Sequence, residues 1–219
     1  MGFSGGESVL STYQTRTMKK LLIASAIIAT FAAPQAFAQA KNFEGFSVGL
    51  NINANSSDTD ITNTGGFVKA TGQTSTNASV QAQYNLALGS AFVLGLGGAF
   101  EMGDADLGSS GTTFSGKRKN AYSVFIAPGI ALDDSWLIYG KVASIAASFE
   151  TTGAAIFTGK TDTTGIGYGI GFQKMLNKNV YLQAEFMQNK YNDKTIVTTL
   201  TTQAKAEARA FSFGVGYKF

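Results

Sequence analysis

The sequence predicts an all-β fold: a closed antiparallel barrel of eight membrane-crossing strands. Three observations carry that prediction. Stretches with bulky residues at every second position recur eight times. The connections between them alternate between short and long. The bulky faces carry almost no charge, while Gly, Ser, Asn and Gln collect on the opposite faces. A soluble barrel reverses that polarity, with an apolar interior and a polar coat.

The strands follow in order. Residues 44–53 set Phe46, Val48, Leu50 and Ile52 against Ser47, Gly49, Asn51 and Asn53. Residues 78–88 set Val80, Ala82, Tyr84, Leu86 and Leu88 against Gln81, Gln83 and Asn85. Residues 91–101 place Phe92, Leu94, Leu96 and Phe100 opposite Gly95, Gly97 and Glu101. In 120–131 the bulky set is Tyr122, Val124, Ile126 and Ile130. Residues 136–147 are weaker, with Trp136, Ile138 and Val142 facing away from Tyr139 and Lys141. Residues 164–173 alternate Ile166, Tyr168, Ile170 and Phe172 with glycines. Residues 180–190 set Val180, Leu182, Ala184 and Phe186 against Gln183, Glu185 and Asn189. The eighth strand, 210–219, carries Phe211, Phe213, Val215, Tyr217 and Phe219 on one face. Each stretch is near the length that crosses a bilayer at a tilt, about 9–11 residues.

Tight turns are expected at 89–90 (GS), 133–135 (DDS) and 177–179 (NKN), all turn-forming residues. Long polar segments at 54–77, 102–119, 148–163 and 191–205 are expected to be loops. Three short and four long connections are the plan of an outer-membrane barrel, with short turns toward the periplasm and long extracellular loops. Closure follows because lipid offers no partner to an open strand edge.

Residues 18–38 have the layout of a secretory signal peptide: Lys19 and Lys20, an apolar stretch from Leu21 to Ala33, then Ala36-Phe37-Ala38. Ala40 offers a second cleavage point. Residues 1–17 lie upstream of Met18 and are expected to be a misassigned translation start. The expected domain is then 39–219. Taking away Glu7, Arg16, Lys19 and Lys20 leaves 14 basic and 13 acidic residues. The basic balance of the whole chain is thus largely a property of the leader, and no nucleic-acid partner is inferred.

At this point the signal peptide, the eight alternating strands and the terminal "GVGYKF" resemble the small outer-membrane β-barrels of Gram-negative bacteria. Relatives of that kind include the OmpA transmembrane domain, OmpX-like proteins and opacity or porin-like proteins. The resemblance covers 39–219 by pattern and implies an outer-membrane location. It also implies that a final aromatic behind alternating hydrophobics is read by the barrel-assembly machinery; Tyr217 and Phe219 match. Lipids and lipopolysaccharide are the expected surroundings. Lys117, Arg118, Lys119 and Arg209, at the expected outer rim, are candidate contacts for its phosphates.

Within the lumen, Lys141 and Glu185 share parity and depth on strands two apart. They are expected to pair as a structural ion pair, or as the gate of a small pore. Glu101 is expected at the outer mouth of the lumen and Lys218 at the inner one. The glycines at 165, 167, 169 and 171 are expected to admit large lumen side chains such as Phe125, Tyr139 and Met187. Aromatic girdles are expected from Phe46, Trp136 and Tyr217 on the inner side, and from Tyr122, Phe149 and Tyr191 on the outer side.

The chain has no His and no Cys, so neither Ser–His nor Cys–His activation is open to it. No catalytic residue, cofactor or metal site is assigned, and D-x-D pairs in the loops read as solvated. Two functions stay open. One is an outer-membrane structural or surface-interaction protein with a side-chain-filled lumen and an extracellular ligand for its loops. The other is a narrow passive porin.

Overall fold

A computed structural model describes residues 39–63, 66–70, 74–110, 114–153, 159–192, 194–197 and 201–219. The compact barrel unit runs from Ala38 to Phe219. Residues 1–17 and the expected leader at 18–38 lie outside the described residues.

Among the described residues eleven strands are formed: β1 (Gly45–Asn63), β2 (Gly66–Ala70), β3 (Thr74–Leu88), β4 (Phe92–Met102), β5 (Ala105–Ser110) and β6 (Phe114–Ala131). β7 (Trp136–Gly153), β8 (Gly159–Met175), β9 (Val180–Tyr191), β10 (Lys194–Val197) and β11 (Thr201–Lys218) follow. Eight of them build the wall in the order β1-β3-β4-β6-β7-β8-β9-β11, and β11 pairs antiparallel with β1 to close it.

The register sets the tilt. A hydrogen-bonded path round the wall runs Ser47, Gln83, Gly97, Phe125, Ala143, Gly167, Asn189 and Ala208. It returns to β1 at Ser57, ten residues above its start at Ser47. With about 3.3 Å per residue and about 4.8 Å between strands, that offset tilts eight strands by about 40°, inside the range of membrane barrels.

Side-chain direction follows the expected parity. Leu50, Ile52, Leu96, Val124, Ile126, Ile166, Ile170, Phe211 and Phe213 are exposed on the outer face. Ser47, Asn51, Asn53, Gln81, Gln83, Asn85 and Gln183 are buried inside. An apolar coat over a polar interior suits lipid, not water.

The three tight turns form where expected. Asp133 Oδ1 accepts from the N–H groups of Ser135 (2.7 Å) and Trp136 (2.8 Å) and from the Ser135 hydroxyl (2.9 Å). These bonds, that of the Ser135 N–H first, hold the Asp133 carboxyl below its ordinary range. Asn177 Oδ1 likewise accepts from the N–H groups of Asn179 (2.9 Å) and Val180 (2.8 Å).

The long polar segments differ from the loops expected. Much of 54–77, 102–119, 148–163 and 191–205 is strand. β2, β5 and β10 carry β3, β4 and β9 onward after a break, pairing with β1, β6 and β11. Above the barrel the wall therefore divides into two four-stranded sheets, β10-β11-β1-β2 and β5-β6-β7-β8. Their sequences carry no sustained apolar alternation. What remained to read was β-branched content, as in "KTIVTTLTTQ" at 194–203.

A 3₁₀ turn, Ala40–Phe43, folds under the short-turn end and seats Ala40 and Phe43 in the core. They join Val93, Ala131, Leu137, Met175 and Tyr181 in one cluster of buried apolar side chains. The barrel thus has an apolar floor.

Candidate functional site

Two ion pairs stand one above the other in the lumen. The lower joins Lys141 on β7 to Glu185 on β9. Between them runs β8, where Gly169 lies opposite Lys141 and Gly171 opposite both Tyr139 and Glu185. The pair therefore meets diagonally across a strand with no side chains at those positions. A Cβ on Gly171 would stand 2.5–2.7 Å from ring atoms and the hydroxyl of Tyr139. The glycine is the space the Tyr139 ring occupies.

Lys141 is 5% exposed and Glu185 7%. Lys141 Nζ donates to Glu185 Oε1, and to Gln81 Oε1 at 3.1 Å. It lies 4.0 Å above the Phe125 ring, a cation–π contact. Tyr139 Oη donates to the same Glu185 oxygen at 2.6 Å. From Gln81 a ladder descends: Gln81 donates to Gln83 (3.1 Å), Gln83 to Asn85 (2.5 Å) and Asn85 to the Phe43 carbonyl (3.0 Å). The ion pair is thereby joined to the floor.

The upper pair is Arg118 with Glu101, 2.5 Å apart. Arg118 is 1% exposed, which corrects the expectation that it sits at the rim as a lipopolysaccharide contact. The cause is a β-bulge. From Lys119↔Ser148 to Tyr122↔Ala146, β6 advances three residues while β7 advances two. Asn120 takes the extra step at φ 49°. Odd positions such as Phe125 and Ala127 face inward on one side of the bulge, and Arg118 faces inward on the other.

Its guanidinium donates to Tyr191 Oη (3.1 Å), Asn55 Oδ1 (3.2 Å) and Glu101 Oε2. Asn77 Nδ2 donates to that carboxylate oxygen too, at 2.8 Å. Asn77 Oδ1 in turn accepts from Asn53 (2.9 Å) and Asn55 (3.2 Å). Tyr191 and Phe149, expected in the outer girdle, instead stack edge-on at 5.0 Å, with Tyr191 buried and Phe149 half-buried. A β-branched residue at Asn120 would be forced into the left-handed region at a cost of about 1–2 kcal/mol. Asn120→Val is therefore expected to lower the urea midpoint, and Asn120→Gly to leave it near wild type.

A cavity of about 80 Å³ separates the pairs, lined among others by Asn51, Ser79, Ser123, Asn189 and Ser212. That is room for two or three waters at about 30 Å³ each. It is bounded by Lys141 and Glu185 on one side and Glu101 and Tyr191 on the other.

The other residues singled out from the sequence lie outside this stack. Lys218 Nζ donates to the Asn42 carbonyl (2.6 Å) at the inner mouth. Lys119 pairs with Glu150 (2.8 Å) and Asp104 (3.7 Å), and Lys117 with Asp104 (3.8 Å), on the outer surface above the belt. Arg209 is exposed on β11, two residues above Phe211. Tyr217 and Phe219 face outward and stack at 5.1 Å, and the Phe219 N–H donates to the Phe46 carbonyl (2.9 Å). Asp58 and Asp60, one of the D-x-D pairs, have side chains outside the described residues.

The sequence of residues 23–219 matches the model of the outer membrane protein beta-barrel domain. The chain belongs to that family. This outer-membrane barrel is similar in structure to OprG from Pseudomonas aeruginosa, at 17% identity and TM-score 0.52, over 80% of this chain and 96% of that one. Ail, the attachment invasion locus protein of Yersinia pestis, matches at 16% identity and TM-score 0.49, over 80% and 99%. The outer membrane protease OmpT from Escherichia coli matches at 8% and TM-score 0.48, over 80% and 97%. No curated protein sequence matches the chain.

Proposed function

We propose that this outer-membrane barrel is a closed scaffold that acts through the two sheets it raises above the membrane and passes no solute. The observation that carries the reading is obstruction of the lumen at three levels. These are the apolar floor around Phe43, the Lys141–Glu185 pair, and Arg118 with its three partners. Opening a path would separate buried charges with only the few waters of the cavity to receive them, which costs several kcal/mol. The narrow-porin reading draws on the cavity between the pairs. In the scaffold reading the two ion pairs cap that cavity.

The same reading assigns export to residues 18–38 and recognition by the barrel-assembly machinery to Tyr217 and Phe219. Lipopolysaccharide phosphates would meet Lys117, Lys119 and Arg209, which point outward, and not Arg118. The barrel is read as non-enzymatic: it lacks His and Cys, and Lys141 is committed to Glu185 and Gln81.

The Cys-free sequence makes the test simple. Ser212→Cys puts a thiol on the cavity wall, and Lys160→Cys puts one on the exposed part of β8. A charged, membrane-impermeant thiol reagent is expected to label Lys160→Cys quickly and Ser212→Cys orders of magnitude more slowly in the folded barrel. Comparable rates would mean that the lumen is open to solute.

A further inference from the structure

Two bonds fit a peptidase that requires small residues one and three positions before its cut. Ala36-Phe37-Ala38 precedes Gln39, and Ala38-Gln39-Ala40 precedes Lys41. The fold separates them. We infer that the leader is cut between Ala38 and Gln39, and that Gln39 and Ala40 are retained as structural parts of the barrel floor. The inference rests on the export reading.

Ala40 is fully buried. Its N–H donates to the Ser90 carbonyl at 3.1 Å, in the turn between β3 and β4. The Gln39 carbonyl accepts the N–H of Asn42 at 3.2 Å, ahead of the bond from the Glu44 N–H to the Lys41 carbonyl, also 3.2 Å. The turn so formed seats Phe43, whose carbonyl accepts from Asn85. Asn42 reaches two further points of the rim: its side chain donates to the Asp134 carbonyl (3.3 Å), and its own carbonyl accepts from Lys218 (2.6 Å). Residues 39–43 thus tie together the β3–β4 turn, the β6–β7 turn and the last strand.

A small side chain at position 40 is therefore required by packing, whatever the peptidase needs. Ala38 serves both candidate cuts. Ala36 is accounted for only by a cut after Ala38. A cut after Ala40 would discard the buried methyl, the Ser90 bond and the Gln39 acceptor together.

The test is the intact mass of the protein purified from outer membranes of cells expressing the chain from Met18 with its own leader. The expected N-terminus is Gln39, either free or cyclised. In the cyclised form the amine attacks the side-chain amide carbon, a C–N bond forms and ammonia leaves. An N-terminus at Lys41 would overturn the inference while sparing the export reading; an uncut leader would overturn both. Ala36→Asp gives a second readout. The form beginning at Gln39 is expected to disappear, and its persistence at the wild-type level would count against the assignment.

Discussion

Glu185→Ala is expected to destabilise the barrel by about 3–5 kcal/mol, the cost of leaving a buried charge without its partner. Lys141 would keep Gln81 and the face of Phe125, but neither neutralises an ammonium group. Tyr139 would lose its acceptor at the same time. The measurement is the urea midpoint of the barrel refolded into lipid vesicles. The double variant Lys141→Met with Glu185→Leu separates a lost charge partner from lost packing. Apolar replacement of a whole buried pair is often neutral or better, so the double variant is expected within about 1 kcal/mol of wild type. A Glu185→Ala barrel as stable as wild type would show that bulk water reaches Lys141, against the obstructed lumen.

The second large effect comes from a glycine. Gly171→Val is expected to cost about 1–3 kcal/mol, the usual range for overpacking. Its Cβ alone would lie 2.5 Å from Tyr139 Cζ. Moving that ring would break its bond to Glu185, so the strain spreads to the ion pair. Gly140→Ala is the control: it lies on the lipid-facing side, and the nearest atom to an added Cβ is the Gly169 carbonyl oxygen at 3.9 Å. It is expected to change stability by less than about 0.5 kcal/mol. Equal losses in the two variants would mean that glycine helps β8 and β7 for backbone reasons alone, not as space for Tyr139.

The barrel wall was legible because lipid on one side and a polar lumen on the other impose a strict period of two. Parity alone put Lys141 and Glu185 inside, and the β8 glycines beside bulky lumen partners. Arg118 was not legible. In "GKRKNAY" the count that works for Phe125 and Ala127 turns Arg118 outward, and only the extra residue at Asn120 reverses it. An Asn before a resumed alternation is a weak sign of a bulge, since Asn tolerates positive φ. Tyr191 was placed at the membrane interface by its position near a strand end. Its hydroxyl instead meets Arg118, which itself had been read as a surface residue. Phe43 carries no periodic signal, being one aromatic in a four-residue turn. The extension of the hairpins was hidden because their polar, Thr-rich sequences carry no apolar alternation.

Single-channel recording of refolded residues 39–219 in a planar bilayer, after folding is verified, tests the obstructed lumen most directly. The expected result is a silent bilayer for wild type. Reproducible ion-selective steps from verified folded barrel, altered in Lys141→Ala, would contradict the scaffold and make the stacked pairs the lining of a conducting pore.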